Sequence, residues 1–485
     1  MAKFPKNFLW RASTFTSQVE GAYNLGGKGP TIYDKDDKKL NEGTCSFKYA
    51  SDFYHHYKED IALMAEMGFK VFRISISWAR ILPEGEGTIN PEGIAFYKNV
   101  FKECRKYGIE PLVTIYHFDL PLALEEKYGS WANRGMIEAY VNYCKILFEN
   151  FKDDVKYWLT NNEYNVLIYY EAVDMMTGQV ADLTQLYNTG HVQLVAMAKA
   201  MALCHEISPN SKIGPAPNLA SFYPASSDPK DTIAAMNMNA LRNFMWVDPL
   251  VFGSYPKEIN EYFRLNNIVL DILNDDLTAF RNAKPDFIGF NCYGNETVSY
   301  LDYYKIDWSE LVGGDNRKNS YLQKLTEKPG VGKAVANDYL PRNPIDDNPY
   351  DPYCIRVTSR VLTDRYHLPL IVTENGYGRP DILEEDRTIH DQYRIEHLKA
   401  TIEQMALGIE QMALGIEEGA MLFGYCPWSA IDLVSTREGI TKRYGFVYVD
   451  RDEDDEKAKI SPMTRYRKDS FYWYQKVIES NGENL

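Results

Sequence analysis

No stretch of the 485 residues approaches the roughly 18 consecutive apolar residues of a membrane span. The opening MAKFPKNFLW carries lysines but no apolar run of signal-peptide length, so no leader is expected. Cysteine is sparse. The seven present, at 45, 104, 144, 204, 292, 354 and 426, are odd in number and form no C-x-x-C pair. That pattern favours reduced thiols in a cytosolic protein over a disulfide framework or a zinc site. Positive charge is in deficit, with a formal net charge of −15, which argues against nucleic acid because phosphates require a basic face. Linkers are missing as well: no Gly/Ser/Pro-rich tract, low-complexity segment or long charge block divides the chain. One domain over residues 1–485 is therefore expected, and barrels often use this much chain as one unit.

What is present is ordinary globular material, 45% apolar and 25% charged, with short β-rich runs between helical stretches. The runs are FLWRAS (8–13), KVFRISI (70–76), PLVTIYH (111–117), VKYWLTN (155–161), KIGPAP (212–217), DFIGFN (286–291), PLIVTE (369–374) and MLFGYCPW (421–428). Amphipathic segments separate them, as in YKEDIALMAEMG (57–68), where Ile61, Met64, Ala65 and Gly68 share one face. Eight such runs, each followed by helix or long loop, predict an α/β fold, a (β/α)8 barrel; a doubly wound open sheet is the alternative. In a barrel, function collects where strands end. Polar groups stand at those ends: Arg73, His117, Asn162 with Glu163, Tyr293, Glu374 with Asn375, and Trp428. A carboxylate closing an apolar run must be paired or functional, since burying it unpaired costs several kcal/mol. Each signal alone is weak. ENG by itself reads as a turn tripeptide, and NNE as a helix cap. The 36 tyrosines and 8 tryptophans are compatible with sugar stacking, though most aromatics in such a chain are core.

The joint pattern is more specific. QVEGAYN (18–24), YKEDIALMAEMGFKVFRISISWARILPEGEG (57–87), TIYHFDLPLAL (114–124), TNNEYN (160–165), FIGFNCYGN (287–295), VTENGYG (372–378) and KRYGFVYVD (442–450) together resemble glycoside hydrolase family 1. The likeness runs from NFLW (7–10) to WYQKVIES (473–480). It implies a metal-free, cofactor-free barrel enzyme in which Glu163 is the acid/base and Glu374 the nucleophile. A retaining glycosidase holds two such carboxyls about 5–5.5 Å apart, on opposite faces of the anomeric carbon. The resemblance places Arg73 and Tyr293 to hold Glu374 ionised, with Asn291 in support, while the charge on Glu374 keeps Glu163 protonated near neutrality. Gln18, His117, Asn162, Tyr293 and Trp428 fall on positions around the sugar, Asn162 near its 2-hydroxyl and Trp428 beneath the ring.

The stretch DLVSTREGITKRYG (432–445) gathers Arg437, Lys442 and Arg443 against one acid, Glu438, in an otherwise acidic chain. In plain β-glucosidases of the family, the position of Ser435 resembles a Glu that grips the 4- and 6-hydroxyls. A carboxylate there would repel a 6-phosphate. Ser435, Lys442 and Tyr444 fit the Ser-x6-Lys-x-Tyr pattern of the 6-phospho branch, and all three are donors to phosphate oxygen. K-R-[YF]-G also occurs in the plain enzymes, so Ser435 carries the distinction. The reading is a cytosolic 6-phospho-β-glucosidase acting on a small phosphorylated β-glucoside, without nucleic acid or membrane. An unphosphorylated β-glucosidase and a non-catalytic sugar-binding barrel stay open. Glucose or galactose as the glycone, the aglycone and any homo-oligomer are not fixed by the residues.

Four positions depart from the family's habit: Arg11 where a small residue is usual, Asn161 where an aromatic is usual, Tyr164 for Pro or Ile, and Thr436 for Trp or Ala. They bear on aglycone range and efficiency. Residues 402–408 also repeat identically as 409–415, in IEQMALGIEQMALGIEEG. Two identical heptads point to a duplication, with either extra helix at the outer rim or one copy looped out at Gly408 or Gly415.

Overall fold

The eight apolar runs become eight parallel strands: β1 (Leu9–Ser13), β2 (Val71–Ser75), β3 (Glu110–Tyr116), β4 (Tyr157–Asn162), β5 (Lys212–Ala216), β6 (Ile288–Asn291), β7 (Leu370–Asn375) and β8 (Leu422–Pro427). They belong to a computed structural model that describes residues 4–34, 45–166, 182–300, 332–342, 349–415, 422–436 and 438–485. Met421, at the edge of the eighth run, and Arg437 lie outside the described residues. Strands pair with their chain neighbours, and β8 returns to β1 with Leu9 opposite Gly424 and Trp10 opposite Tyr425. Between β5 and β6, Asp286 N–H donates to Ile213 O and Asn291 N–H to Pro217 O, each at 2.9 Å. The ring is closed, which rules out the open sheet.

Each strand reads as nearly continuous apolar sequence because both of its faces are buried. Val71, Leu112, Leu159, Phe287 and Ile371 fill the lumen, while their chain neighbours Phe72, Val113, Trp158, Ile288 and Val372 pack outward under the helices. A helix follows every strand: α1 (Phe53–Glu66), α2 (Pro91–Lys106), α3 (Gly135–Phe151), α4 (Leu183–Ile207), α5 (Asn274–Ala283), α6 (Cys354–Tyr366), α7 (Gln392–Gly415) and α8 (Asp469–Glu479). Local sequence signals are plain in α2. Asn90 caps it by accepting from Glu92 N–H at 3.2 Å, Pro91 opens it, and Arg105 and Lys106 close it. Phe96, Tyr97, Val100, Phe101 and Cys104 form its buried face.

Two of the departures find a structural place among the packing layers of the barrel. Asn161 donates to Gln193 of α4 at 3.1 Å, and the Tyr164 hydroxyl donates to Trp246 O at 2.9 Å. Both serve packing between the barrel and its outer layer. Arg11 is enclosed in the lumen, 5.5 Å from the Phe423 ring and beside Cys426, and burial lowers its pKa from the ordinary guanidinium value.

Helix α7 runs unbroken through residues 402–408 and 409–415, 24 residues in all. Gly408 faces Arg356 of α6, whose Cγ a Cβ would meet at 3.1 Å. Seven residues are close to two turns, so removing one copy would shorten the helix by about 10.5 Å and turn its face by only about 20°. Deleting residues 409–415 is expected to leave hydrolytic activity unchanged and the thermal midpoint equal or higher, read by circular dichroism. A deletion protein that no longer folds would make the second copy structural.

Candidate active site

Both glutamates follow a shift in strand register. On β4 the pairing with β5 slips between Leu159 and Asn162, and on β7 the pairing with β6 slips between Val372 and Glu374. An extra residue re-aims the side chains beyond it. Asn162, not Asn161, thus enters the barrel mouth, and Glu374 joins Thr373 there. Glu163 follows in the left-handed region at φ 45°, uncommon for a residue with a Cβ, its N–H held by Ala216 O at 2.8 Å.

Arg73 of β2 organises the floor of this mouth. Its Nη1 donates to Glu374 Oε1 at 2.5 Å and to Thr373 O at 3.1 Å, its Nη2 to Asn162 Oδ1 at 2.6 Å, and its Nε to Thr114 Oγ1 at 3.1 Å. Tyr293 donates to the other oxygen of Glu374 at 2.9 Å. The contacts are those the family resemblance implies, but the electrostatic outcome differs. Burial pushes the Glu374 carboxyl up to about 7, Glu163 adds to the rise, and Arg73 and Tyr293 offset only part of it. The carboxyl is only 4% exposed, so lost hydration outweighs its guanidinium.

The Glu163 carboxyl accepts on Oε1 from Asn218 Nδ2 at 2.6 Å and from Asn291 Nδ2 at 3.0 Å. Asn291 also donates to Asn162 Oδ1 at 3.1 Å and is itself fixed by Thr373 Oγ1 at 2.6 Å. The two glutamates are therefore joined by one chain of contacts through Asn291, Asn162 and Arg73. Asn162 Oδ1 accepts twice, so its Nδ2 must donate to His117 Nε2, 2.9 Å away. Burial and then Arg73 keep the His117 pKa well below its ordinary value, so the ring is neutral with its proton on Nδ1. That ring stacks on Phe15 at 4.0 Å and lies 6.3 Å from Trp428. Gly376 of ENG is more than a turn residue: a Cβ there would strike Trp428 O at 2.3 Å.

The 432–445 loop is pinned at both ends. Asp432 accepts from Arg443 at 2.9 Å and from buried Lys468 at 2.7 Å. Between them, Ser435 and Gly439 exchange backbone bonds of 2.7 and 3.1 Å. Ser435 Oγ donates to Glu438 Oε2 at 2.8 Å and Lys442 Nζ to Glu438 Oε1 at 3.3 Å. Lys442 sits 5.6 Å from the Tyr444 ring centre. Burial alone would lower the Lys442 pKa, but Tyr444 and Glu438 raise it, so the ammonium is charged. Gln18 Nε2 reaches Thr436 Oγ1 at 3.2 Å, tying the first barrel loop to the last.

Asn218, and the place of Glu438 between Ser435 and Lys442, escape a reading of the sequence. Asn218 stands two residues beyond β5, backed by Arg242 Nη2 at 2.6 Å, and its place past a strand end is the signal that would have found it. Among the described residues no group of three or more His, Cys, Asp or Glu side chains could hold a metal ion.

A closed (β/α)8 barrel with two linked carboxyls at its mouth is the frame of a glycoside hydrolase. The profile of Glycosyl hydrolase family 1 matches residues 1–483, and the chain belongs to that family. It is 40% identical to an aryl-phospho-β-D-glucosidase of Bacillus subtilis (strain 168), over 99% of this chain and 98% of that one. It is 39% identical to a 6-phospho-β-glucosidase of Escherichia coli (strain K12), over 100% of each. A solved β-glucosidase of Thermotoga maritima in complex with glucoimidazole matches with a TM-score of 0.82 at 32% identity, over 99% of each chain.

If Glu374 reacts as the ionised carboxylate, activity must rise with pH through about 7 and fall as pH drops below it. Tyr293→Phe removes a donor that favours the ionised form. Its acid limb in kcat/KM is expected to move alkaline by about one to two pH units, the equivalent of a hydrogen bond to charge of about 1.5–3 kcal/mol. A limb that stays in place would belong to a different group.

Proposed function

We propose that this chain is a retaining 6-phospho-β-glucosidase, cleaving a phosphorylated β-glucoside to glucose 6-phosphate and the free aglycone. The observation that carries the phosphate is the convergence of Ser435 Oγ and Lys442 Nζ on a single carboxylate, which marks a space already fitted to an anion. The names borne by the Bacillus and Escherichia relatives support the same substrate class.

In this reading Glu374 attacks the anomeric carbon while Glu163 protonates the departing oxygen, giving a glycosyl ester on Glu374. Forming the ester removes the charge of Glu374, so Glu163 then takes a proton from water, which releases the sugar with retained configuration. Arg73 and Tyr293 steady the nucleophile, and Asn218 and Asn291 aim the acid. Asn162 is held between Arg73 and His117, where a bond to the 2-hydroxyl can strengthen in the transition state. His117 offers Nδ1–H to a sugar hydroxyl, Gln18 adds an amide, and Trp428 supplies the apolar wall. Ser435, Lys442 and Tyr444 donate to the phosphate. All seven cysteines are buried and free. With a phosphorylated sugar, itself an intracellular compound, they support a cytoplasmic location.

Three variants test this. Glu374→Gly should lose nearly all turnover, and added azide should restore it with an inverted glycosyl azide as product. Glu163→Ala should slow poor leaving groups far more than nitrophenol; equal losses would count against its role. Lys442→Ala should raise KM for nitrophenyl 6-phospho-β-glucoside by about 10- to 150-fold, the worth of one charge-assisted bond, and change the plain glucoside much less. Equal effects on both substrates would remove the phosphate from this loop.

A further inference from the structure

The loop that offers donors to a phosphate already holds a carboxylate. Glu438 lies four residues before Lys442, in a turn closed by the paired backbone bonds of Ser435 and Gly439, with Gly439 at φ 56°. That turn brings the Glu438 side chain onto Ser435 and Lys442. One oxygen accepts a hydrogen bond from the hydroxyl of Ser435, a residue only 6% exposed, and the other accepts from the Lys442 ammonium at 3.3 Å. A phosphate dianion bound to the same two donors would meet this carboxylate at contact distance. Both anions cannot be present together.

The geometry has a second side. A terminal phosphoryl oxygen and the O6 that bears the phosphorus are separated by the edge of one tetrahedron, about the length of a short O–H···O bond of about 2.5–3.0 Å. The carboxylate oxygens of Glu438 stand on the donors that terminal phosphoryl oxygens would use. They are therefore within hydrogen-bond reach of a free 6-hydroxyl on a sugar seated in the same way. Glu438 is also free to leave. Its side chain is 45% exposed and its ion pair with a 34% exposed Lys442 is of the weak, solvent-screened kind.

We propose that Glu438 is an exchangeable occupant of the phosphate pocket: swung out, it admits 6-phosphoglucosides, and in place it accepts from the 6-hydroxyl of unphosphorylated β-glucosides, which the enzyme hydrolyses as a second activity. This inference rests on the phosphate reading above. The chemistry at the anomeric carbon is the same for both substrates. Glu374 forms the glycosyl ester as the glycosidic bond breaks and Glu163 gives its proton to the leaving oxygen; then water, giving its proton to Glu163, cleaves the ester and frees Glu374. Only the far end of the sugar is bound differently. Ser435 and Lys442 bind the phosphate in one state and Glu438 in the other. The exposed Lys442–Glu438 pair is weak, so Lys442 matters far more to the phosphorylated substrate, and Glu438 selects between the two.

The test measures kcat/KM for nitrophenyl β-glucoside and its 6-phosphate, and inhibition by inorganic phosphate, in wild type, Glu438→Ala, Glu438→Gln and Lys442→Ala. Wild type should hydrolyse the plain glucoside measurably, though less well than the phosphorylated one. Glu438→Ala should raise kcat/KM for the phosphorylated substrate about 3- to 10-fold through KM, tighten phosphate inhibition similarly, and lower the plain glucoside at least 10-fold. Glu438→Gln should gain on the phosphorylated substrate but keep more plain activity, since its amide oxygen still accepts. If Glu438→Ala moves neither substrate, or both together, while Lys442→Ala still selectively weakens the phosphorylated one, the exchange is wrong and the phosphate reading stands. If Lys442→Ala weakens both alike, the phosphate reading falls and takes this inference with it.

Discussion

A single buried guanidinium holds the mouth of the barrel together. Arg73 donates from all three of its nitrogens, and its partners lie on β3, β4 and β7: Thr114, Asn162, Thr373 and Glu374. It is wholly buried, so every bond it lacked would leave charge without hydration. Removing Glu374 from that pair would strand the guanidinium, a change of the kind that costs about 3–5 kcal/mol. The consequences travel outward. Arg73 claims Asn162 Oδ1, which forces the amide nitrogen toward His117 and so decides which imidazole nitrogen carries the proton. Three polar groups take their orientation from one charge.

The two acids of the mouth receive opposite treatment. Glu374 is sunk against a cation and a phenol, where burial still wins and lifts the carboxyl to about 7. Glu163 is aimed by two amides, Asn218 and Asn291, which donate without bringing charge to the carboxyl. The acid/base role proposed for Glu163 needs its protonation to change during turnover, and such a group is better held by neutral donors than by a fixed cation, which would favour one state throughout. Arg242 stands one residue further back, bonded to the amide oxygen and the carbonyl of Asn218, so it orients the amide.

Much of this was legible in the residues, and the limits have physical causes. The eight strands announced themselves because parallel strands bury both faces, and their polar endings marked the mouth. Period-two alternation, however, chooses wrongly in T-N-N-E. Carried on from Leu159, it would put Asn161 in the mouth; the register slip puts Asn162 there and sends Asn161 to Gln193. A bulge is a property of two paired strands and leaves no trace in one. The acidity of Glu374 escaped for a related reason: Arg73 and Tyr293 are visible as partners, but the depth of burial that overrides them is set by the whole barrel. Glu438 read as one acid among several bases, because nothing linear shows that a turn at Gly439 brings it onto Ser435.

In the proposed function, chemistry and substrate choice are held by separate devices. The reacting carbon would be placed by strand ends locked in the closed sheet. The loop proposed to place the far end of the sugar is rooted in a buried network: Asp432 between Arg443 and Lys468, with Lys468 shared to Asp381 at 2.5 Å and Asp381 to Arg394 at 3.0 Å. Such buried ion pairs contribute little net stability against well-packed apolar groups, because desolvation offsets their attraction. What they do supply here is position. Asp432 also takes the Gly445 N–H at 2.9 Å, so both ends of the loop close on one carboxylate. The residues between these anchors, from Ser435 to Lys442, can then differ in charge or side-chain length without disturbing the strands that carry Glu163 and Glu374. A barrel built this way can exchange the group it recognises at the sugar's sixth position while leaving the bond-breaking apparatus unaltered.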